Sequence, residues 1–413
     1  MVHPVLLIAY HFPPLSGSSG LQRTLRFAQY LPEFGWGPIV LTVRPDAYEQ
    51  TDERSLAQVP AGCEVVRTRC LDAGRHLSIM GRYPAFAALP DRWASWHLWA
   101  VRAGQRLARE RGVRAIWSTY PIATAHKIGA TLARRTGLPW IADFRDPMAQ
   151  EGYPADPRRW QAFKRIEEAA AAQASRLVFV SPSALELYRD RYPGTPPEHM
   201  VLIENGYDES SFDGLPAVAA RGQHEPPVLL HSGIVYPSER DPRALFEALA
   251  RLAKDHRIEP GDFVIRFRAS VHEALLRTLA DQHGVSAYVD IQPAIAYREA
   301  LSEMLGADAL LVMQGANCNE QIPAKLYEYL RAGRPIFGLA EPAGDTGRTL
   351  TDLGYPFVTP LESAEAIERG LPAFLQALRA GALPVARRDV VDRYSRRALT
   401  GRFAALLDQV TAA

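Results

Sequence analysis

Short apolar runs alternate with amphipathic stretches through both halves of this chain, and that alternation restricts the fold more than any other feature. Residues 5–9, 38–43, 115–118, 140–144, 177–180 and 201–203 each read as a strand, with a helical pattern such as 20–34 between the first two. Strand followed by helix, repeated, predicts βαβ units and a parallel sheet. Past Asn205 the periodicity lapses in a tract of Asp, Ser, Gly and Pro that reads as a linker. It then restarts, with strands expected at 228–231, 263–267, 288–291, 309–312 and 335–338 and helices at 241–253 and 273–281. The sequence therefore predicts an α/β protein with a domain at 1–205, a linker at 206–226 and a second domain at 227–390. A C-terminal helix at 391–413 carries Leu399, Phe403, Leu406, Leu407 and Val410 at helical spacing.

Composition narrows the function classes. The 413 residues hold 47 Lys and Arg against 46 Asp and Glu, and this balance argues against a dedicated nucleic-acid binder. The balance conceals two unlike halves. Residues 1–204 carry 25 basic and 19 acidic side chains, while 205–413 carry 22 and 27. Cys63, Cys70 and Cys318 are odd in number and show no Cys-x-x-Cys spacing, which excludes a disulfide framework or a cysteine-rich zinc module and fits a reducing compartment. No run approaches a membrane span, and residues 5–9 lack the flanks of a signal peptide. The expectation is a cytoplasmic enzyme.

Most common catalytic signatures are missing. The four lysines, Lys127, Lys164, Lys254 and Lys325, never follow a glycine, so a Walker-type loop is impossible. There is no Gly-x-Gly-x-x-Gly after a strand, no Gly-x-Ser-x-Gly elbow, no His-Glu-x-x-His and no Asp-x-Asp.

Two segments remain. His11-Phe12-Pro13-Pro14-Leu15-Ser16-Gly17-Ser18-Ser19-Gly20 follows the first strand and precedes a helix. Ligands of open α/β sheets bind beyond strand C-termini, and small residues let the backbone approach a phosphate or sugar. A plain flexible turn has the same composition. The second segment, Glu320-Gln321-Ile322-Pro323-Ala324-Lys325-Leu326-Tyr327-Glu328, reads as a loop entering a helix, with Pro323 in the first turn. Lys325 then stands at the positive helix end, suited to a diphosphate, and Glu328 offers acceptors to paired sugar hydroxyls. An ordinary surface helix with an i,i+3 ion pair fits the same spacing.

The chain resembles the GT-B glycosyltransferases of family 4 at five ordered places. These are the Pro13–Ser18 loop with Arg23, the segment Trp140-Ile141-Ala142-Asp143-Phe144-Arg145-Asp146-Pro147, and Ile203-Glu204-Asn205-Gly206-Tyr207-Asp208. His231-Ser232-Gly233 with Arg240-Asp241-Pro242 is the fourth, and Ile322–Leu330 with Gly333-Arg334-Pro335 the fifth, where Glu320 and Glu328 match the family's Glu-x7-Glu. The resemblance implies two Rossmann-like domains facing across a cleft, with the C-terminal helix packing back on the first. It implies a retaining transfer from a nucleoside diphosphate sugar to an acceptor hydroxyl, without a metal or any cofactor beyond the donor. Donor contacts would fall to Gly17, Ser18, Ser232, Gly233, Arg240, Lys325 and Glu328: Lys325 and Arg240 at the diphosphate, Glu328 at the ribose. Glu320 would meet the transferred sugar.

One departure concerns the loop after the fourth strand, where many relatives carry a histidine and this chain has Asp143-Phe144-Arg145-Asp146. Asp143 or Asp146 is expected to orient or deprotonate the acceptor, with Arg145 pairing with one of them; a structural Asp–Arg–Asp network is the alternative. His126 is expected to be packed, and His231 to stand at a strand end. The stretch around Tyr83 and Phe86, with Trp93, Trp96 and Trp99 and then Arg102, Arg106, Arg109 and Arg111, suits either an anionic bilayer beside a lipid-linked acceptor or a helix burying its tryptophans. The expected setting is bacterial polysaccharide or glycolipid assembly, the acceptor being a glycan or a lipid-linked sugar. A sugar-nucleotide epimerase and a sugar-binding protein remain as alternatives.

Overall fold

The computed structural model describes residues 2–16, 20–78, 80, 82–215 and 225–412, and the chain divides into two compact units. The first comprises Met1–Glu204 with Arg396–Ala413, the second Asn205–Ser395.

In chain order the first unit runs β1 His3–Ile8, α1 Leu21–Tyr30, β2 Trp36–Val43, β3 Glu64–Thr68, α2 Ala73–His76, α3 Trp96–Glu110, β4 Ala115–Thr119 and α4 Ala123–Thr136. It continues through β5 Trp140–Asp143, α5 Pro157–Gln173, β6 Arg176–Phe179, α6 Pro182–Arg191 and β7 Met200–Leu202. The strands form one sheet in the order β3-β2-β1-β4-β5-β6-β7, every pair parallel. Helices cover both faces. Leu6 and Ile8 of β1 therefore enter one apolar cluster, while Val5 and Leu7, on the opposite pleat, enter the other.

The second unit repeats the plan with β8 Val228–Ser232, α7 Arg243–Lys254, β9 Val264–Arg268, α8 Glu273–Gln282, β10 Val289–Gln292, α9 Tyr297–Gly306 and β11 Ala309–Met313. After these come α10 Ala324–Ala332, β12 Ile336–Leu339, α11 Asp345–Asp352, β13 Val358–Thr359, α12 Ala364–Arg379 and α13 Arg388–Val391. The sheet order is β10-β9-β8-β11-β12-β13, again all parallel. Each sheet reverses its strand order once, at β1/β4 and at β8/β11. In open parallel sheets that reversal opens a crevice at the strand C-termini, where ligands bind.

The last helix, α14 Arg396–Ala412, belongs to the first unit. Phe403 stacks on Phe27 with ring centroids 4.6 Å apart, and Leu399, Leu406 and Leu407 share their cluster. Burying one such phenylalanine contributes roughly 1.5–3 kcal/mol. Asp408 accepts from Trp36 Nε1 at 3.0 Å, and Arg402 reaches Glu204 at 2.7 Å. The chain thus returns to its first unit at residue 396, not at 391. Strands β3 and β13 were not among the expected strands.

Candidate functional site

The reversal point of the second sheet gathers an unusual set of charges. Strand β8 ends in His231 and Ser232, both buried, and the chain turns at Gly233. The backbone N–H of Gly233 donates to Arg268 O at 2.8 Å, and that of Ser232 donates to the Tyr329 hydroxyl at 2.8 Å. From the neighbouring strand β11 the chain runs into a loop held at several points. Gln314 donates to the carbonyls of Cys318 and Gln321 at 2.7 and 2.9 Å, and Ala316 N donates to Glu362 at 2.7 Å. This loop delivers Lys325 to the first turn of α10. Pro323 is the residue before that helix and not part of its first turn, and Gly333 closes the helix in the left-handed conformation.

Lys325 Nζ lies 3.2 Å from His231 Nε2, while His231 Nδ1 lies 3.0 Å from the Leu311 carbonyl. Nδ1 must be the protonated nitrogen, because a carbonyl only accepts. The Nε2 lone pair therefore meets the ammonium. Burial and the adjacent cations hold His231 neutral, its pKa well below the usual value. Burial lowers the Lys325 pKa to about 7, with Arg240 pushing the same way and Glu328 opposing. Arg240 donates to the Ile234 carbonyl at 3.2 Å and lies over the Tyr236 ring, but its buried Nε has no hydrogen-bond partner. Neither cation forms a salt bridge among the described residues. A lysine in the first turn of α10 and an arginine in the loop between β8 and α7, neither of them salt-bridged among the described residues, are groups that could hold an anion.

Gly233 is required by the same geometry. Its φ is +122°, and a Cβ there would lie 2.9 Å from Lys325 Nζ. Glu328, one turn beyond Lys325, accepts from the Tyr297 hydroxyl at 2.6 Å. Tyr297 and Tyr329 were not singled out from the sequence. Tyr329 follows Lys325 by four residues, so helical spacing alone places it on the same face. Glu320 is exposed, in the turn before α10.

In the first unit, Arg23 of α1 grips Asp143 at the end of β5 with two hydrogen bonds of 2.9 Å, and also donates to the carbonyls of Ile203 and Glu204. Thr119 donates to the same carboxylate at 3.0 Å. Both members of the pair are buried. Asp143 thus accepts three hydrogen bonds, which gives it an anchoring place between α1 and β4. Its partner is Arg23 and not Arg145, which instead donates to Gly20 O at 3.0 Å. Burial lowers the Arg145 pKa against the raising fields of Asp146 and Asp143. Asp146 is partly exposed. Burial and Arg145 lower His11, in the loop after β1, to about 4.

Gly17 and Ser18 lie outside the described residues. His126 is packed as expected: it is buried, 2.8 Å from Ser118 Oγ and 4.7 Å from the Phe144 ring. Trp96 is fully buried and donates to Thr68, while Trp93 and Trp99 are partly buried. Among the described residues no group of three or more His, Cys, Asp or Glu is placed to hold a metal, and no helix is long and apolar enough to cross a membrane.

Two all-parallel sheets, each reversing its strand order once, are the GT-B fold, and the chain shares that fold with solved glycosyltransferases. Residues 20–206 match the family model of the glycosyl transferase 4-like domain, so the first unit carries that domain. No curated protein is similar enough in sequence to match. Among solved structures, a sucrose-phosphate synthase from Thermosynechococcus elongatus aligns over 99% of both chains at 16% identity with a TM-score of 0.67. WaaG, a glycosyltransferase involved in lipopolysaccharide biosynthesis, aligns over 98% of this chain and 99% of its own at 16% identity and 0.61. HepE of Anabaena, solved with UDP-glucose, aligns over 99% and 97% at 13% identity and 0.57. A putative UDP-N-acetylglucosamine 2-epimerase from Listeria monocytogenes shares the fold at 9% identity and 0.57.

Proposed function

We propose that this glycosyltransferase moves a sugar from a nucleoside diphosphate sugar to an acceptor hydroxyl with retention of anomeric configuration, in polysaccharide or glycolipid assembly. The observation that carries the reading is that Lys325 and Arg240, near the crevice of the second sheet, form no salt bridge among the described residues. A diphosphate supplies the missing negative charge. As the bond to the sugar breaks, charge grows on the departing phosphate oxygen, and Lys325 with the α10 N-terminus stabilises it in place of a metal. Glu328, held by Tyr297, accepts from the ribose hydroxyls, and Ser232 and Gly233 let the backbone approach the phosphates. Glu320 binds the transferred sugar. Gly17 and Ser18 add further donor contacts. Asp146, beside Arg145, receives the acceptor proton, with Asp143 anchoring that loop through Arg23. That HepE was solved with UDP-glucose supports a donor of this class.

The test is release of nucleoside diphosphate from a panel of donors, with and without candidate glycan and glycolipid acceptors, and NMR of the new anomeric proton. Acceptor-dependent release with retained configuration is the expected result. Interconversion of the donor sugar without any acceptor would instead make the chain an epimerase.

A further inference from the structure

In the first unit, the chain between β3 and α3 leaves the body of the fold and returns to where it left. Leu71 N donates to Ser95 Oγ and the Ser95 hydroxyl lies 2.8 Å from Leu71 O, while Ala73 N donates to Arg92 O at 2.8 Å. Arg92 ties the two sides together through Asp72 at 2.7 Å and Glu49 at 2.9 Å. Beyond this neck the chain exposes large apolar side chains that a folded protein ordinarily buries. Met80 is 98% exposed, Phe86 78% and Tyr83 40%. On the return side, Leu98 in the first turn of α3 is 59% exposed.

The charges around these side chains have one sign. Between Glu64 and Glu110 the chain has two acidic residues, Asp72 and Asp91, and both are buried. Over the same span Arg69, Arg75, Arg82, Arg102, Arg106 and Arg109 are exposed. On α3, Leu98, Arg102, Arg106 and Arg109 fall at helical spacing on one face, opposite the buried Trp96, Ala100, Gly104 and Leu107. Beside Arg109 the surface dips into a cavity of about 310 Å³ lined in part by Gln105, Arg135 and Thr136. Its donors suit a phosphate headgroup.

We infer that this face, with Tyr83, Phe86 and Leu98 as apolar anchors and the α3 arginines around them, docks on an anionic lipid bilayer. Exposed aromatic and aliphatic side chains enter the headgroup boundary, and arginines near an anionic surface add an attraction that salt screens. Trp96 is not an anchor, because it is buried. The inference rests on the transferase reading only for its purpose, which is to bring the enzyme to a lipid-linked acceptor.

Flotation of the full chain with phosphatidylcholine vesicles, and with vesicles containing phosphatidylglycerol, tests it. The chain is expected to float with the anionic vesicles at low salt, to be released at high salt, and to bind the neutral ones weakly. The pair Tyr83→Ser/Phe86→Ser and the pair Arg102→Glu/Arg109→Glu should each cut the bound fraction roughly tenfold or more, with the unfolding temperature unchanged. No retention on anionic vesicles overturns the inference, as does retention that neither pair weakens. A dimer in solution that Tyr83→Ser/Phe86→Ser splits, without vesicle binding, would overturn it in favour of a second copy of the chain. Nucleoside diphosphate binding, measured on the same samples, reports on the other unit, so a failure here is distinct from a failure of the donor reading.

Discussion

The ammonium of Lys325 lies 3.2 Å from Nε2 of His231, and that contact governs how the proposed donor site responds to pH. With Nδ1 committed to the Leu311 carbonyl, His231 stays neutral and accepts, and burial brings the Lys325 pKa down to about 7. The charged form that a diphosphate needs is therefore lost as pH rises through the value for the free protein. Nucleoside diphosphate affinity should weaken above pH 7, by up to roughly tenfold per unit between the free-protein pKa and the higher pKa of the bound state. Calorimetric titration across pH checks this, and Lys325→Met should remove that limb of the profile.

The same shift makes a stability prediction of opposite sense. A lysine whose folded pKa is depressed binds its proton more readily in the unfolded chain, so it destabilises the fold below its unfolded pKa and less so as pH rises from about 7 towards 10.5. Lys325→Met removes that cost. The variant should be more stable than the parent near neutral pH, by about 1 kcal/mol, while losing transfer activity. Urea unfolding of the two proteins measures the difference.

Gly233→Ala should damage the same site from the backbone side. Its φ of +122° disfavours any Cβ, and the added atom would press on Lys325 Nζ. A loss of about 1–2 kcal/mol in stability is expected from the backbone alone. The rise in donor KM should exceed that of Gly261→Ala, a control glycine also at positive φ with nothing near its Cβ position.

If Glu328 holds the ribose as proposed, Glu328→Ala raises the donor KM by roughly tenfold or more, since it removes an acceptor from paired hydroxyls. Tyr297→Phe removes only the hydrogen bond that orients the carboxylate, so its effect should be a few-fold, in KM and not in kcat. Equal effects on kcat and KM in both variants would take Glu328 off the ribose.

Arg23 and Asp143 form a buried pair, and a pair of that kind is costly to break from one side. Arg23→Ala or Asp143→Ala should each lose about 3–5 kcal/mol. The double variant Arg23→Met/Asp143→Leu should recover much of that, because it leaves no charge unpaired. Denaturant unfolding of the three proteins reads the coupling.

How far the sequence discloses these arrangements depends on the range of the interaction. Strands β1, β2, β8 and β11 are apolar runs, buried on both faces, so their residues announce them locally. Strand β3 is Glu64-Val65-Val66-Arg67-Thr68 at a sheet edge, and β13 has two residues, Val358 and Thr359; neither carries enough apolar periodicity to be seen. The placement of Lys325 at the start of a helix is likewise local, since Pro323 and Gly333 bracket that helix. The Arg23–Asp143 pair spans 120 positions and exists because α1 and the end of β5 are brought together by the sheet order, which no spacing encodes. For the same reason the requirement for glycine at 233 appears only once Lys325, on another element, is in place.

The central claim is that the second unit binds a nucleoside diphosphate through Lys325 and Arg240. Thermal unfolding of the parent and of Lys325→Ala, with saturating UDP, GDP, ADP and TDP, tests it most directly, because a ligand that binds only the folded state raises the unfolding temperature by mass action. At least one nucleoside diphosphate should raise the unfolding temperature of the parent and lose most of that effect in Lys325→Ala. No shift with any of them, or equal shifts in the two proteins, would contradict the claim.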